Sequence, residues 1–394
     1  MLALLIRQNL AWLEAHGLGF LRLFTFVTFQ TVVALMASFV IVLGLGPRVI
    51  AWLRHQKIGD NPEFDQADIN KAMDAKRGTP TMGGVLIVGA IVATCALVAD
   101  VSNFYVVLAI GCTLFLAMIG AVDDWMKLHK QRRAKEAEAA GLGKQAADRQ
   151  GLRSKEKLIL QLCLGAVLAF LTYRYGGDVA ESHRLYIPFM KFGENFVTLP
   201  LWIYVLFGTL LVSGFSNAVN LTDGLDGLAA GLTAIVSFVL MVLSLIIGDD
   251  KIAATLLYHH HPFAGQMSVV CGSIAGACLG FLWFNCNPAK VFMGDTGSLA
   301  LGGLLGYIAL VLRQEILLIL LGAIFVVEAL SVLIQVSYFK YTKKKYGEGR
   351  RIFRMAPIHH HFQKLGWSET TVVVRFWLIG AMLAFLGLAT INVR

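Results

Sequence analysis

Residues 220–228 read NLTDGLDGL and lie between two long apolar runs, 199–212 and 229–247. Asn220, Thr222, Asp223 and Asp226 are therefore set at the edge of a membrane, with Gly224 and Gly227 among them. Ionisable groups at that depth are costly unless they face protein, water or an ion. The glycines let the backbone turn tightly and come close to a ligand. Taken alone, the stretch is equally well read as a short polar turn capped by aspartate. Similar polar turns recur along the chain, and the recurrence points to chemistry.

Asp123 and Asp124 follow directly on an apolar run that ends at residue 122. The C-terminal end of a helix disfavours negative charge, so two acids there call for a compensating cation. Magnesium held by carboxylates and substrate phosphates would supply it; alternatively one acid serves as base or nucleophile, or the pair merely marks a helix end meeting water. Residues 285–298, NCNPAKVFMGDTGS, place Asp295 between Gly294 and Gly297, with hydroxyls at Thr296 and Ser298. Such a turn opening a helix offers backbone N–H groups and a carboxylate together, which suits a phosphate and its metal or an ordinary N-cap. Phe292 is either a membrane-belt aromatic or a stacking surface for a base, and physics alone favours the belt. In residues 76–84, KRGTPTMGG, Lys76 and Arg77 act as membrane anchors or as phosphate contacts; the order of a Walker loop is missing. Residues 357–362, PIHHHF, hold three successive histidines that cannot all point one way. Adjacent spacing is poor for a helical zinc site, which favours loop-borne phosphate or carboxylate binding by one or two of them. Arg350, Arg351 and Arg354 just upstream add positive potential.

These turns must be positioned by membrane helices. Of 394 residues, 57% are hydrophobic and only 15% charged, too little charge to cover a soluble protein of this length. Apolar runs near the length of a bilayer core repeat from end to end, at 24–52, 82–99, 104–122, 158–175, 199–215, 228–247, 266–284, 298–312, 316–339 and 372–390. The expectation is an all-α polytopic membrane protein of about ten transmembrane helices, forming a single domain over 1–394. No cleavable signal peptide is expected, since the amphipathic start lacks a small-residue cleavage site. Lysine and arginine crowd alternate loops, which places those loops in the cytoplasm and both termini in the periplasm. The acids and His359 to His361 then share the cytoplasmic face, while a second triplet, His259 to His261, falls on the opposite face. The net charge of +9 reports orientation and anionic partners, with no nucleic acid implied. The six cysteines have neither zinc-site nor disulfide-framework spacing. Residues 130–149 are charged and alanine-rich, a solvated helical excursion or a flexible loop.

Acids, cations and amide or hydroxyl side chains at membrane-edge turns on one face suit a divalent cation and a phosphorylated substrate. Phosphoryl chemistry needs mainly positioning and charge neutralisation. A cytoplasmic phosphate donor and a lipid acceptor would explain a membrane location. A secondary transporter with intramembrane acids and a zinc-dependent hydrolase built on His359 to His361 are the competing readings from other classes.

Together, KRGTPTMGG, the Asp123–Asp124 pair, NLTDGLDGLA, FLWFN with VFMGDTGSLALGG, and APIHHHF resemble the phospho-N-acetylmuramoyl-pentapeptide transferases. These are a branch of the polyprenyl-phosphate N-acetylhexosamine-1-phosphate transferases, and the match runs in family order over residues 76–366. The stretch around the histidines separates this branch from the relatives that use UDP-N-acetylglucosamine, which remain the nearest alternative. The resemblance implies attack of undecaprenyl phosphate on UDP-N-acetylmuramoyl-pentapeptide, release of UMP and formation of lipid I in the bacterial inner membrane. It implies Mg2+, a homodimer, and an active site facing the cytoplasm. By the same resemblance Asp295 is the metal-binding acid, Asp123 the base or nucleophile, and Asp124 its neighbour. His359 and His360 join the catalytic set near the sugar phosphate. Asp223, Gly224, Leu225, Asp226 and Phe292 match the nucleoside pocket. Lys76, Thr81, Asn220, Asn285 and His361 complete the substrate contacts. Gln363 stands where the family pattern leads one to expect an acid, and the loops 59–75 and 131–151 are longer than that pattern.

Overall fold

The computed structural model describes residues 2–56, 78–139, 154–175, 183–190 and 196–392. Two short helices, α1 (Leu2–Gln8) and α2 (Leu10–Ala15), precede α3 (Val27–His55), α4 (Gly84–Val98), α5 (Phe104–Ala139) and α6 (Ser154–Tyr175). A two-stranded antiparallel hairpin, β1 (Arg184–Tyr186) with β2 (Phe196–Thr198), pairs Leu185 with Val197. Then come α7 (Leu201–Thr222), α8 (Leu228–Ile247), α9 (Asp250–Thr255), α10 (Gly265–Asn285), α11 (Gly294–Leu312), α12 (Glu315–Leu321), α13 (Ala323–Tyr346), α14 (Ile358–Lys364) and α15 (Glu369–Ala389). Among the described residues 9 helices are long and apolar enough to cross a membrane, and the 15-residue α4 is a shorter apolar one. The all-α polytopic architecture expected from the hydropathy is the one observed.

The bundle is built around α11. Every residue from Thr296 to Leu312 is buried, against α5, α7, α8 and α4. A helix so enclosed has to be made of small and aliphatic residues, because helices in lipid associate through close packing. At its start α11 crosses α5, and the crossing rests on Gly120. A Cβ there would run into the Asp295 carbonyl. One turn beyond this contact α5 carries Asp123 and Asp124, which is how two acids far from Asp295 in sequence arrive beside it.

Three expectations need correction. The span expected at 199–215 runs on as helix to Thr222, so Asn220 and Thr222 lie in the last turn of α7 and the polar turn is 223–227. The span expected at 104–122, with Asp123 and Asp124 at its C-terminal end, continues as helix to Ala139. Asp123 pairs with Lys127 one turn on, at 2.7 Å, and the following run is rich in good helix formers, so nothing ends the helix at the acids. The span expected at 316–339 is α12 and α13, separated at Gly322, and α13 runs on to Tyr346 with three lysines in its last turn, where cations suit the helix dipole. Only the part of residues 130–149 up to Ala139 is described, and it extends α5.

The two histidine triplets lie at opposite ends of α11. At the end away from Asp295, the His259 ring donates from Nε2 to the Leu312 carbonyl at 3.0 Å and stacks on Tyr186 at 4.1 Å. His261 bonds the Tyr105 hydroxyl at 3.1 Å, and Arg313, itself buried with φ 58°, donates to the Tyr204 hydroxyl. That triplet ties the hairpin and the connecting loops to the bundle and is remote from the acids.

The α5–α11 crossing gives a paired test. Gly120→Ala is expected to destabilise the protein by about 1–3 kcal/mol, the usual cost of overpacking. Gly111→Ala, on the same helix with open space around it, is expected to be neutral or slightly stabilising. Thermal unfolding in detergent compares them, and equal midpoints would contradict the crossing.

Candidate active site

Asp123 from α5 and Asp295 from the first turn of α11 share the same two ammonium groups. Lys127 Nζ lies 2.7 Å from Asp123 Oδ2 and 3.2 Å from Asp295 Oδ2. Lys157 Nζ, at the start of α6, lies 3.0 Å from each. The other oxygen of Asp295 accepts from Asn220 Nδ2 at 2.9 Å, and the same amide reaches Ser298 Oγ at 2.9 Å. Asp223 stands just past the end of α7, bonded by the Gly294 N–H. Burial, with the charges of Asp295 and Asp124 nearby, holds its carboxyl well above the usual carboxylate range. Five segments thus converge on one spot: two carboxylates, two ammonium groups, an amide, a hydroxyl and a third carboxyl.

Other residues singled out in the sequence brace this spot. Asp124 is buried and caps α11 from outside that helix. Its Oδ1 accepts from the Asp295 N–H at 3.2 Å, and its Oδ2 from the Thr296 N–H at 3.0 Å and the Thr296 hydroxyl at 2.8 Å. The N–H groups expected to cradle a phosphate at this helix start are therefore taken by a carboxylate of the protein. Thr81 is buried beside Gly294. Asn285 is buried too; it accepts from the Gly227 N–H at 3.0 Å and donates to the Val291 carbonyl at 2.9 Å. Asp226 Oδ2 accepts from Asn287 Nδ2 at 3.0 Å and from the Ala289 N–H at 3.1 Å, while its own N–H donates to Glu369 at 2.8 Å. Asn285 and Asp226 therefore lock the 220–228 turn to the 285–291 loop. Leu225 is buried in the apolar core, and Phe292, half-buried, is held through its backbone to Pro80 and Gly83. Gly224 lies against His359. Lys76 lies outside the described residues.

The histidines of 359–361 sit on α14, not on the loop expected, because the chain turns helical directly after Pro357. Consecutive helical residues point about 100° apart, and the three rings take different partners, although those of His359 and His360 lie side by side at 4.2 Å. His359 Nδ1 bonds the Glu328 carboxylate at 3.0 Å, and both side chains are buried. His360 Nδ1 bonds Gln363 Oε1 at 2.8 Å, so the residue standing where an acid was expected holds a histidine. His361 Nδ1 accepts from the Arg354 N–H at 3.1 Å. Rings so divided do not form a zinc site.

Among the described residues no three histidine, cysteine, aspartate or glutamate side chains are grouped to enclose a metal ion. Asp123 and Asp295 nevertheless offer two hard carboxylates across a shared pair of cations. That donor set fits magnesium, which takes one or two carboxylates and fills its remaining positions with water and substrate phosphates. Sequence reasoning missed Lys157 and Glu328, and took Lys127 only for one of the loop cations that set orientation. Lys157 sits one residue outside the span expected at 158. Glu328 is a lone acid inside an apolar run, a signal that was available.

A family model described as glycosyl transferase family 4 matches residues 106–313. The phospho-N-acetylmuramoyl-pentapeptide-transferase signature 1 matches residues 76–88. A phospho-N-acetylmuramoyl-pentapeptide-transferase of Desulforapulum autotrophicum is 42% identical over 378 residues, covering 96% of this chain and 97% of that one. One of Caulobacter sp. (strain K31) is 40% identical over 390 residues, covering 97% and 98%.

If Asp124 works as a cap, Asp124→Ala strands buried N–H groups and should cost about 1–3 kcal/mol. Thermal unfolding reads this, and an unchanged midpoint would contradict the bracing role.

Proposed function

The chain belongs to the phospho-N-acetylmuramoyl-pentapeptide-transferase family, and from that premise we propose how the cluster of Asp123, Asp295, Lys127 and Lys157 carries its reaction. The transferred unit passes from a UDP-linked donor to undecaprenyl phosphate. An acceptor phosphate oxygen attacks the sugar-proximal phosphorus of the donor. The bond from that phosphorus to the bridging oxygen breaks, and its electron pair leaves with UMP. The new diphosphate joins the sugar to the lipid as lipid I.

The observation that carries this reading is the meeting of Asp123 and Asp295 on two shared ammonium groups beside Asn220 and Asp223. Lys127 and Lys157 bind oxygens of the diphosphate in transit and neutralise the charge that moves toward UMP. Asp295 and Asp123 would hold magnesium, which supplies further charge neutralisation when bound. Asp123 takes any proton carried by the acceptor phosphate. Both ammonium groups sit on the same oxygen of Asp123, Oδ2, which leaves that oxygen without the open line to phosphorus that attack by the carboxylate would need. The turn carrying Asp223 and Gly224, together with Phe292, receives the uridine. Of the two histidines that the resemblance assigns to the sugar phosphate, His359 and His360, His360 keeps that place in this reading. The loops crowded with lysine and arginine support a cytoplasmic side for this end of the bundle, in a bacterial inner membrane. The family resemblance adds a homodimeric working state.

Donor-dependent release of UMP in detergent, with and without magnesium, tests the reading. Asp295→Asn and Asp123→Asn are each expected to lower the rate at least about a hundredfold, the scale on which removal of a preorganised charge acts, with the fold retained. Chelation of divalent cations should abolish the rate, and added magnesium should restore it. A wild-type rate in Asp295→Asn would overturn the metal assignment, and a phosphosugar trapped on Asp123 by acid quench would overturn single displacement.

A further inference from the structure

Three polar residues of α13, Glu328, Gln335 and Thr342, stand seven apart and so lie on one face, two turns between each. Each bonds the chain that returns along the helix. Thr342 Oγ1 accepts from the Arg350 N–H at 2.8 Å. Gln335 Oε1 accepts from the N–H groups of Ile352 and Phe353, both at 3.0 Å, and its Nε2 donates to the Phe353 carbonyl at 3.1 Å. Glu328 Oε2 accepts from His359 Nδ1 at 3.0 Å. The order 342 to 350, 335 to 353 and 328 to 359 is antiparallel, so the stripe straps the returning segment down and ends at the 220–228 turn.

The last fastening differs from the others. Glu328 and His359 are both fully buried, and a carboxylate inside an apolar helix is costly to keep. Neutral side chains do the same fastening at 335 and 342. On the far side of the imidazole, Nε2 has no hydrogen-bond partner among the described residues. It presses instead on Gly224, where a Cβ would collide with it. A few residues on, Glu369 at the start of α15 accepts from the Asp226 N–H at 2.8 Å. The strap therefore touches the turn at two places, Gly224 and Asp226.

We propose that Glu328 and His359 are positioning residues for the donor nucleotide: the carboxylate fixes the imidazole, and the imidazole sets where the Asp223–Gly224 turn stands. This rests on the reading above that the turn receives the uridine. His359 then acts through the turn and does not itself touch substrate, unlike the catalytic role its motif implies. Gly224 is required because the ring occupies the space of a side chain.

The test measures UMP release by the full-length protein in detergent, with KM determined separately for the UDP-linked donor and the lipid acceptor. Glu328→Gln and His359→Asn are each expected to raise donor KM about tenfold, well inside the range that misplacing a site by an ångström can cost. Acceptor KM should stay within about twofold, a split that a general loss of stability would not produce. The double variant should be no worse than the worse single one, because both changes break one link. An unchanged donor KM in Glu328→Gln, or losses that multiply in the double variant, would overturn the proposal. Should Glu328→Gln fail to fold, Gln335→Ala on the half-buried part of the stripe carries the test, and an unchanged donor KM there overturns the strap. Asp223→Ala separates the two levels. If it leaves donor KM unmoved, the uridine reading fails and the proposal with it; if it raises donor KM while Glu328→Gln does not, the strap alone fails.

Discussion

Two lysines held between two aspartates are the contact on which the rest of this end of the molecule depends. Asp123 and Asp295 come from helices far apart in sequence, and Lys157 comes from a third. Without the ammonium groups the carboxylates would repel each other where water is scarce, and α5 and α11 would not cross as closely as Gly120 allows. Buried charges of this kind add little net stability, because desolvation offsets much of the attraction. Their value lies in what they present. In the function proposed above, a diphosphate would compete with the carboxylates for the same ammonium groups, and a divalent cation would let all the anions stay. The resting pairing is thus already arranged as a site for exchanging one anion for another.

Around that contact the acids divide into those that meet or stand beside the lysines and those that hold the scaffold. Asp124 spends both its oxygens on the start of α11. Asp226 spends one on the 287–289 loop. Asp123 instead meets the two lysines, and Asp223 stands beside Asp295. Adjacent residues on a helix diverge by about 100°, so an Asp–Asp pair naturally gives one acid to each task. The same divergence splits the histidines of α14, with His359 turned inward to Glu328 and His361 toward Arg354.

Much of this was legible in the sequence. Hydropathy located the apolar cores of the helices, because apolar length is what a bilayer demands, but not the polar ends of α5, α7 and α13, which run on to Ala139, Thr222 and Tyr346. The recurrence of acids, amides and glycines at span ends located the site, because such groups have no place at membrane depth without a partner. The roles of individual residues were less legible. Asp124, Asp226 and Asn285 look the same in sequence as residues that bind substrate. Only the N–H groups they reach, on Thr296, Ala289 and Gly227, distinguish them. Asp123 looked like the end of a helix because hydrophobicity stops there, whereas the backbone continues on the strength of Lys127. Lys157 and Glu328 escaped notice because each is a single charge beside or within an apolar run, and its meaning comes entirely from a partner on another helix.

The 223–227 turn shows why irregular backbone is possible at this depth at all. Non-helical chain near the hydrocarbon leaves N–H and C=O groups without helical partners, and it persists only where protein satisfies them. Here the Asp223 N–H bonds the Asn220 carbonyl, the Asp226 N–H bonds Glu369, and the Gly227 N–H bonds Asn285. The partners come from α7, α10 and α15, so the turn cannot shift without disturbing three helices. Departure from helix gives the site backbone that can approach a ligand; the surrounding side chains give it a fixed address. A turn free in solvent would offer the first without the second, and a continuous helix the second without the first. The edge of a packed bundle is where both conditions are met.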